Sequence, residues 1–182
     1  MQRRISTGLI LALLVTLPSF AANLPDTLNS AGQTLQLNGS GERTKLFIKL
    51  YRAGLYLESK SQIADEIVNA NEPMAIRLDI LSDLITARKM EKATMEGFQK
   101  STGGNLGPIA GEIDRFIAIF TQGIKKGDVY EFSYLPATGT AVIKNGRTQE
   151  NIAGAPFKQA LFGIWLGKEP AQQSLKKTLL GQ

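Results

Sequence analysis

From residue 46 to residue 57 the chain is dense in Leu, Ile, Phe and Tyr, and Leu46 to Leu57 is predicted as a long strand. A shorter strand is expected at Thr34 to Leu37, with a glycine-containing turn, Asn38-Gly39-Ser40-Gly41, between the two. Residues 64–69 read as one or two helical turns, and Met74 to Leu81 as another strand with Pro73 at its start. The period then changes. Ser82 and Thr86 are candidate N-caps of a helix reaching about Ser101, with Met90, Ala93, Gly97 and Phe98 near one face and Gly103-Gly104 ending it. Pro108 suits the start of the next helix, where Ile113, Phe116, Ile117, Phe120 and Ile124 make an apolar stripe. Lys125, Lys126 and Gly127 close that helix.

The rest returns to strands and then to helices. Asp128 to Leu135 and Thr140 to Lys144 are predicted strands, and Asn145-Gly146 is a type I′ hairpin signal leading to a third. Pro156 opens a helix with Phe157, Ala160, Leu161, Ile164 and Trp165 on one side, stopped by Gly167; Pro170 opens a last one, stopped by Gly181. Strands, two central helices, a meander and C-terminal helices, with no internal repeat, describe one α+β domain: an antiparallel sheet with helices on one face.

The first residues stand outside this pattern. Arg3 and Arg4, an apolar run from Gly8 to Val15, Pro18 and then small residues have the layout of a secretory signal peptide. Ser19-Phe20-Ala21 suits cleavage after Ala21. The apolar core is short of the about 20 residues that span a bilayer, so residues 1–21 are expected to be removed and residues 22–182 to be a periplasmic or secreted domain without a transmembrane segment. Removing residues 1–21 takes away two arginines and no acid, lowering the net charge from +5 to +3. The remaining Lys and Arg are scattered without aromatic interleaving, which argues against nucleic acid as a partner.

The chain has no Cys and no His. Disulfides, thiol nucleophiles, Cys or His zinc sites and most acid–base triads are excluded. A metal would need carboxylates alone, and the spaced Asp/Asn ladder of a calcium loop is missing, so neither metal nor cofactor is expected.

Arg43 directly follows the two glycines, and Lys49 and Tyr51 lie in the strand beyond. Arg43 is either an exposed charge beside a turn or a planar donor fork aimed at an anion. Arg43 and Tyr51 share strand parity, but on one straight strand they would stand about 26 Å apart. A shared site needs the chain to turn near Thr44-Lys45-Leu46. Lys49 reads as a solvated strand lysine, Gly54 and Tyr56 as packing, and Trp165 and Phe162 as core.

Asn38-Gly39-Ser40-Gly41-Glu42-Arg43, followed by Lys49 to Leu57, resembles the chalcone isomerase family. In particular it is similar to the bacterial exported chalcone-isomerase-like branch and the related plant fatty-acid-binding proteins of that fold. Lys126-Gly127-Asp128, Asn145-Gly146, Phe157, Ile164-Trp165-Leu166-Gly167 and Leu179-Leu180-Gly181 follow the family's C-terminal layout, so the resemblance covers about residues 30–181. It implies an open-faced β-sandwich, a large antiparallel sheet against a layer of helices with a ligand cleft between. It also implies that Arg43 polarises a flavonoid-precursor oxygen or holds a fatty-acid carboxylate, and that Tyr51 donates a second hydrogen bond. A tyrosine matches Tyr51 in the fatty-acid-binding relatives, a threonine in the isomerases.

The family's catalytic members carry a tyrosine, a lysine and an asparagine on the helix matching residues 86–101. Here Arg88 to Glu96 has neither tyrosine nor asparagine, and Lys92 is the residue set against the lysine. Three readings follow. The first is a non-catalytic binder of a fatty acid or similar apolar carboxylate, with Arg43 and Tyr51 at its anionic end. The second is an intramolecular lyase or isomerase of a flavonoid-like ligand, with Arg43 as the catalytic electrophile. The third is an envelope scaffold that uses the fold without a ligand.

Overall fold

The computed structural model of the chain describes residues 24–30 and 32–182; the leader expected over residues 1–21 lies outside them. Seven strands, β1 (Thr27–Ser30), β2 (Gln33–Lys45), β3 (Ile48–Leu57), β4 (Met74–Ile80), β5 (Val129–Leu135), β6 (Gly139–Lys144) and β7 (Arg147–Ile152), form one sheet in sequence order with every neighbour antiparallel. The helices are α1 (Ala64–Asn69), α2 (Ala87–Ser101), α3 (Ala110–Ala118), α4 (Ala155–Leu166) and α5 (Gln173–Leu179). The α+β architecture is the one expected. The helix read from Pro108 to Ile124 is broken into α3 and a 3₁₀ turn at each end, Gly107–Ile109 and Ile119–Gln122, so Ile124 falls outside it. β1 has no counterpart in the sequence reading.

Period-2 alternation puts Tyr51, Ala53, Leu55 and Leu57 of β3 on one face, beside Met74, Ile76, Leu78 and Ile80 of β4 and Tyr130, Phe132 and Tyr134 of β5; they share one core with the helices. α4 is apolar on nearly every side and is buried from Phe157 to Leu166 except at Gln159, as expected of a helix enclosed by other elements. Its neighbour α2 crosses it at small residues. A Cβ on Gly97 would press on Ile164 at 2.9 Å, and one on Gly163 would press on Ser101 at 2.9 Å. The opposite sheet face holds a small cluster, Leu35, Tyr56 and Ala75, and then ion pairs, Arg77 with Asp79 at 2.8 Å and Arg52 with Glu42 at 3.2 Å. Tyr56 is buried and donates to the Pro25 carbonyl at 2.9 Å, and a Cβ on Gly54 would meet Leu24 at 2.8 Å, so both serve packing as read.

The largest departure lies in β2. Residues 38–41 are no turn; β2 runs through them for 13 residues, and the chain reverses at Leu46-Phe47, the first two residues of the expected long strand. Asn38 sits at a register shift in the β2–β3 ladder, where its amide donates to the carbonyls of Ser61 at 2.9 Å and Leu179 at 2.8 Å. On Gly39 an added Cβ would overlap the Thr178 carbonyl, and on Gly41 the Thr178 hydroxyl. The glycines exist to let α5 lie directly on β2.

Asp128 ties the end of the α3 segment to the β6–β7 hairpin. Its carboxylate accepts from the Lys125 N–H at 3.1 Å and the Asn145 amide at 3.0 Å, and it pairs with Lys144 at 3.3 Å. Burial pushes its carboxyl up, but these donors outweigh burial and hold it below the ordinary carboxylate range. A depressed folded-state pKa gives stability above the unfolded value that is lost as pH falls through the folded one. Asp128→Asn is therefore expected to lose about 1–2 kcal/mol in urea unfolding at pH 7. The difference from the parent should shrink as the pH is taken below 4.

Candidate functional site

Leu46 and Phe47 take left-handed backbone, φ 49° and 66°, and fold β3 back along β2. Arg43 and Tyr51 thereby become direct partners across the ladder. The reversal that a shared site required is present, and the about 26 Å of a straight strand does not arise. The guanidinium carbon of Arg43 lies over the Tyr51 ring, 5.8 Å from its centroid.

Tyr51 is 4% exposed. Its hydroxyl accepts the Trp165 indole N–H at 3.0 Å, which fixes the ring and leaves the phenolic hydrogen without an acceptor among the described residues. Arg43 is half-buried. Arg52, Arg77 and Arg115 each pair with a carboxylate, whereas Arg43 has no carboxylate in ion-pair range among the described residues. Two anion-directed donors thus lie side by side with no acceptor among the described residues.

Both line a half-open cleft of about 500 Å³ between the β2–β3 hairpin and α2. Its walls are apolar at Ile48, Leu50, Ile85 and Met90, and Lys45, Lys89 and Lys92 stand against one acid, Glu96. Behind it lies a recess of about 30 Å³ walled by Phe116, Phe132 and Trp165. Arg43, Tyr51, Met90 and Ala93 border both spaces, so the two donors stand at the inner end of the cleft. The recess has room for a water or two and not for an acyl chain. The outer cleft lies within the usual range of small-molecule sites.

α2 carries one wall of the cleft. Thr86 does cap it, accepting from the Lys89 N–H at 3.4 Å, and Lys89, Met90, Lys92, Ala93 and Glu96 form that wall. Their spacing, near i, i+3/i+4 and i+7, is a single helix face and was legible. Trp165 was read as core alone; it also walls the recess and anchors Tyr51. The available signal was that a buried indole N–H needs an acceptor. Lys49 is exposed and pairs with Glu42 at 2.7 Å, in keeping with a solvated strand lysine. Among the described residues no group of three or more Asp or Glu side chains is placed to hold a metal ion.

A family model described as chalcone isomerase-like matches residues 19–181. No curated protein matches the chain. Among solved structures, the crystal structure of the Arabidopsis thaliana fatty-acid binding protein AtFAP1 superposes with a TM-score of 0.70 at 16% identity, over 91% of this chain and 95% of that one. At that identity the likeness is one of fold.

Proposed function

Because the chain belongs to the chalcone isomerase-like family, we propose that its cleft binds a fatty acid or similar apolar carboxylate, with Arg43 and Tyr51 on the carboxylate. The observation that carries this reading is the pairing of Arg43 with Tyr51 at the inner end of an apolar cleft. A guanidinium without a carboxylate partner presents two parallel donors to an anion, and the Tyr51 hydroxyl adds a third. The recess behind them is too small for a chain, so the acyl tail runs outward between Ile48, Leu50 and Met90. The fold relative AtFAP1 is a fatty-acid binding protein, which agrees with this ligand class.

A ring-closing lyase would use Arg43 in the same place. What α2 brings to the two spaces is Lys89, Met90, Lys92, Ala93, Thr94 and Glu96, with no phenol or carboxamide to order a water. That composition supports binding over catalysis. The basic, apolar and small-residue order of residues 1–21 supports action outside the cytoplasm after their removal. No helix of the described residues is long and apolar enough to cross a membrane.

The test is organic extraction and mass spectrometry of the purified protein beside its Arg43→Ala variant, followed by calorimetric titration with palmitate. A carboxylic lipid is expected in the parent and depleted in the variant. Palmitate affinity should fall about ten- to a hundredfold, the worth of a bidentate charge-assisted pair. Equal palmitate binding by parent and variant would reject the site, and absence of both lipid and palmitate binding would reject the ligand class.

A further inference from the structure

Two hairpins in this sheet turn on the same backbone. At the β6–β7 turn Asn145 and Gly146 have φ of 51° and 74°; at the β2–β3 turn Leu46 and Phe47 have φ of 49° and 66°. Asn-Gly suits two successive left-handed residues. Leu and Phe do not, since a bulky side chain clashes with the backbone there. Nor does folding recover anything from them. Leu46 is 81% exposed and Phe47 fully so, and Ile48 and Leu84 are also exposed large apolar residues. Leu46, Ile48 and Leu84 rim one cleft, so these side chains form a single projecting apolar edge at its mouth. A strained turn that exposes apolar bulk answers to something outside the chain.

The charges around the edge indicate what that is. Lys45, Lys89 and Lys92 line the same cleft with Glu96 as the one acid in its wall, and Lys49, paired with Glu42 at 2.7 Å, follows the tip on β3. The nearby Asp83 carboxylate is engaged with the Lys126 N–H at 3.1 Å. A second copy of the chain fits poorly, because a two-fold contact through this edge would set cations against cations. An apolar tip ringed by lysines is the arrangement that enters the interface of an anionic bilayer, the side chains among the acyl boundary and the lysines on headgroups.

We propose that the Leu46-Phe47 tip, with Ile48 and Leu84, docks the protein on an anionic phospholipid surface and turns the mouth of the cleft toward the lipid. This goes beyond the ligand reading and can fail independently of it. Phe47 does not line the cleft, so it separates the two.

The experiment is vesicle co-sedimentation of protein expressed from the whole coding sequence. The parent and Phe47→Gly are compared on phosphatidylcholine vesicles with and without phosphatidylglycerol, and intact mass defines the N-terminus of both. The parent is expected to bind the anionic vesicles, less so at high salt and on neutral vesicles. Phe47→Gly should bind about tenfold more weakly or worse, from the loss of one buried aromatic ring. It should also melt no lower than the parent, because glycine accepts the left-handed backbone. Lipid extraction from the same two samples reads the cleft separately and should not differ. A parent that stays in the supernatant, or a variant that sediments equally, overturns the proposal. So does a parent that is dimeric where Phe47→Gly is monomeric, since the edge would then be an interface between copies.

Discussion

Lys158→Met is expected to destabilise the protein by about 3 kcal/mol or more, measured by urea unfolding at pH 7. Lys158 lies on α4 and is 1% exposed. Its ammonium donates to the carbonyls of Ile67 at 3.1 Å, Val68 at 2.7 Å and Ala70 at 2.7 Å, at the C-terminal end of α1, and sits 5.3 Å from the centroid of the Tyr134 ring. α1 has six residues and no basic side chain of its own in its last turn, so this buried cation is its C-terminal cap. Methionine fills the same volume and leaves those carbonyls without a donor inside the protein.

A pH signature distinguishes the cation from its packing. Burial lowers the Lys158 pKa to about 8, against an ordinary 10.5. Between those values the unfolded chain holds a proton that the folded one has released, so this group makes stability rise with pH across that window. Burial raises the Tyr56 and Tyr130 hydroxyls, which makes stability fall with pH above their ordinary value, but parent and variant share that effect. The gap between parent and Lys158→Met should therefore widen from pH 8 to 10. A gap independent of pH would mean that the ammonium is not desolvated.

Lys158 was invisible in the sequence for the same reason that β2 was misread. In both places a distant segment decides the local structure. Periodicity and turn chemistry located α2, α4 and the β5–β6–β7 meander, because Thr86, Pro156 and Asn145-Gly146 act on their immediate neighbours. Gly39 and Gly41 look like turn residues to any local rule, and Leu46-Phe47 looks like strand. The actual arrangement is the reverse, since α5 lies about 140 residues further along and occupies the space above the two glycines. The site was legible to the same degree. Arg43 and Tyr51 stood out through the family resemblance, their pairing depended on a hairpin turn made of the wrong residue types, and the Trp165 contact depended on fold alone.

Gly39→Ala is expected to lose about 3 kcal/mol, and it decides what the glycines next to Arg43 are for. Both glycines share a sheet face with Arg43, so their absent side chains would equally suit the close approach of a ligand. The structure assigns that space to α5. At Gly39 the obstruction is the backbone carbonyl of Thr178, which no side-chain change removes; at Gly41 it is the Thr178 hydroxyl, with Leu175 Cδ1 at 3.1 Å. Thr178→Ala should therefore recover part of the stability lost in Gly41→Ala and none of that lost in Gly39→Ala, a difference that a pair of double-mutant cycles reads directly. If the glycines instead served ligand approach, Gly39→Ala would weaken palmitate binding while leaving the unfolding midpoint unchanged. With α5 as the occupant, the midpoint falls first. Any loss of affinity then follows from displacement of the strand that carries Arg43.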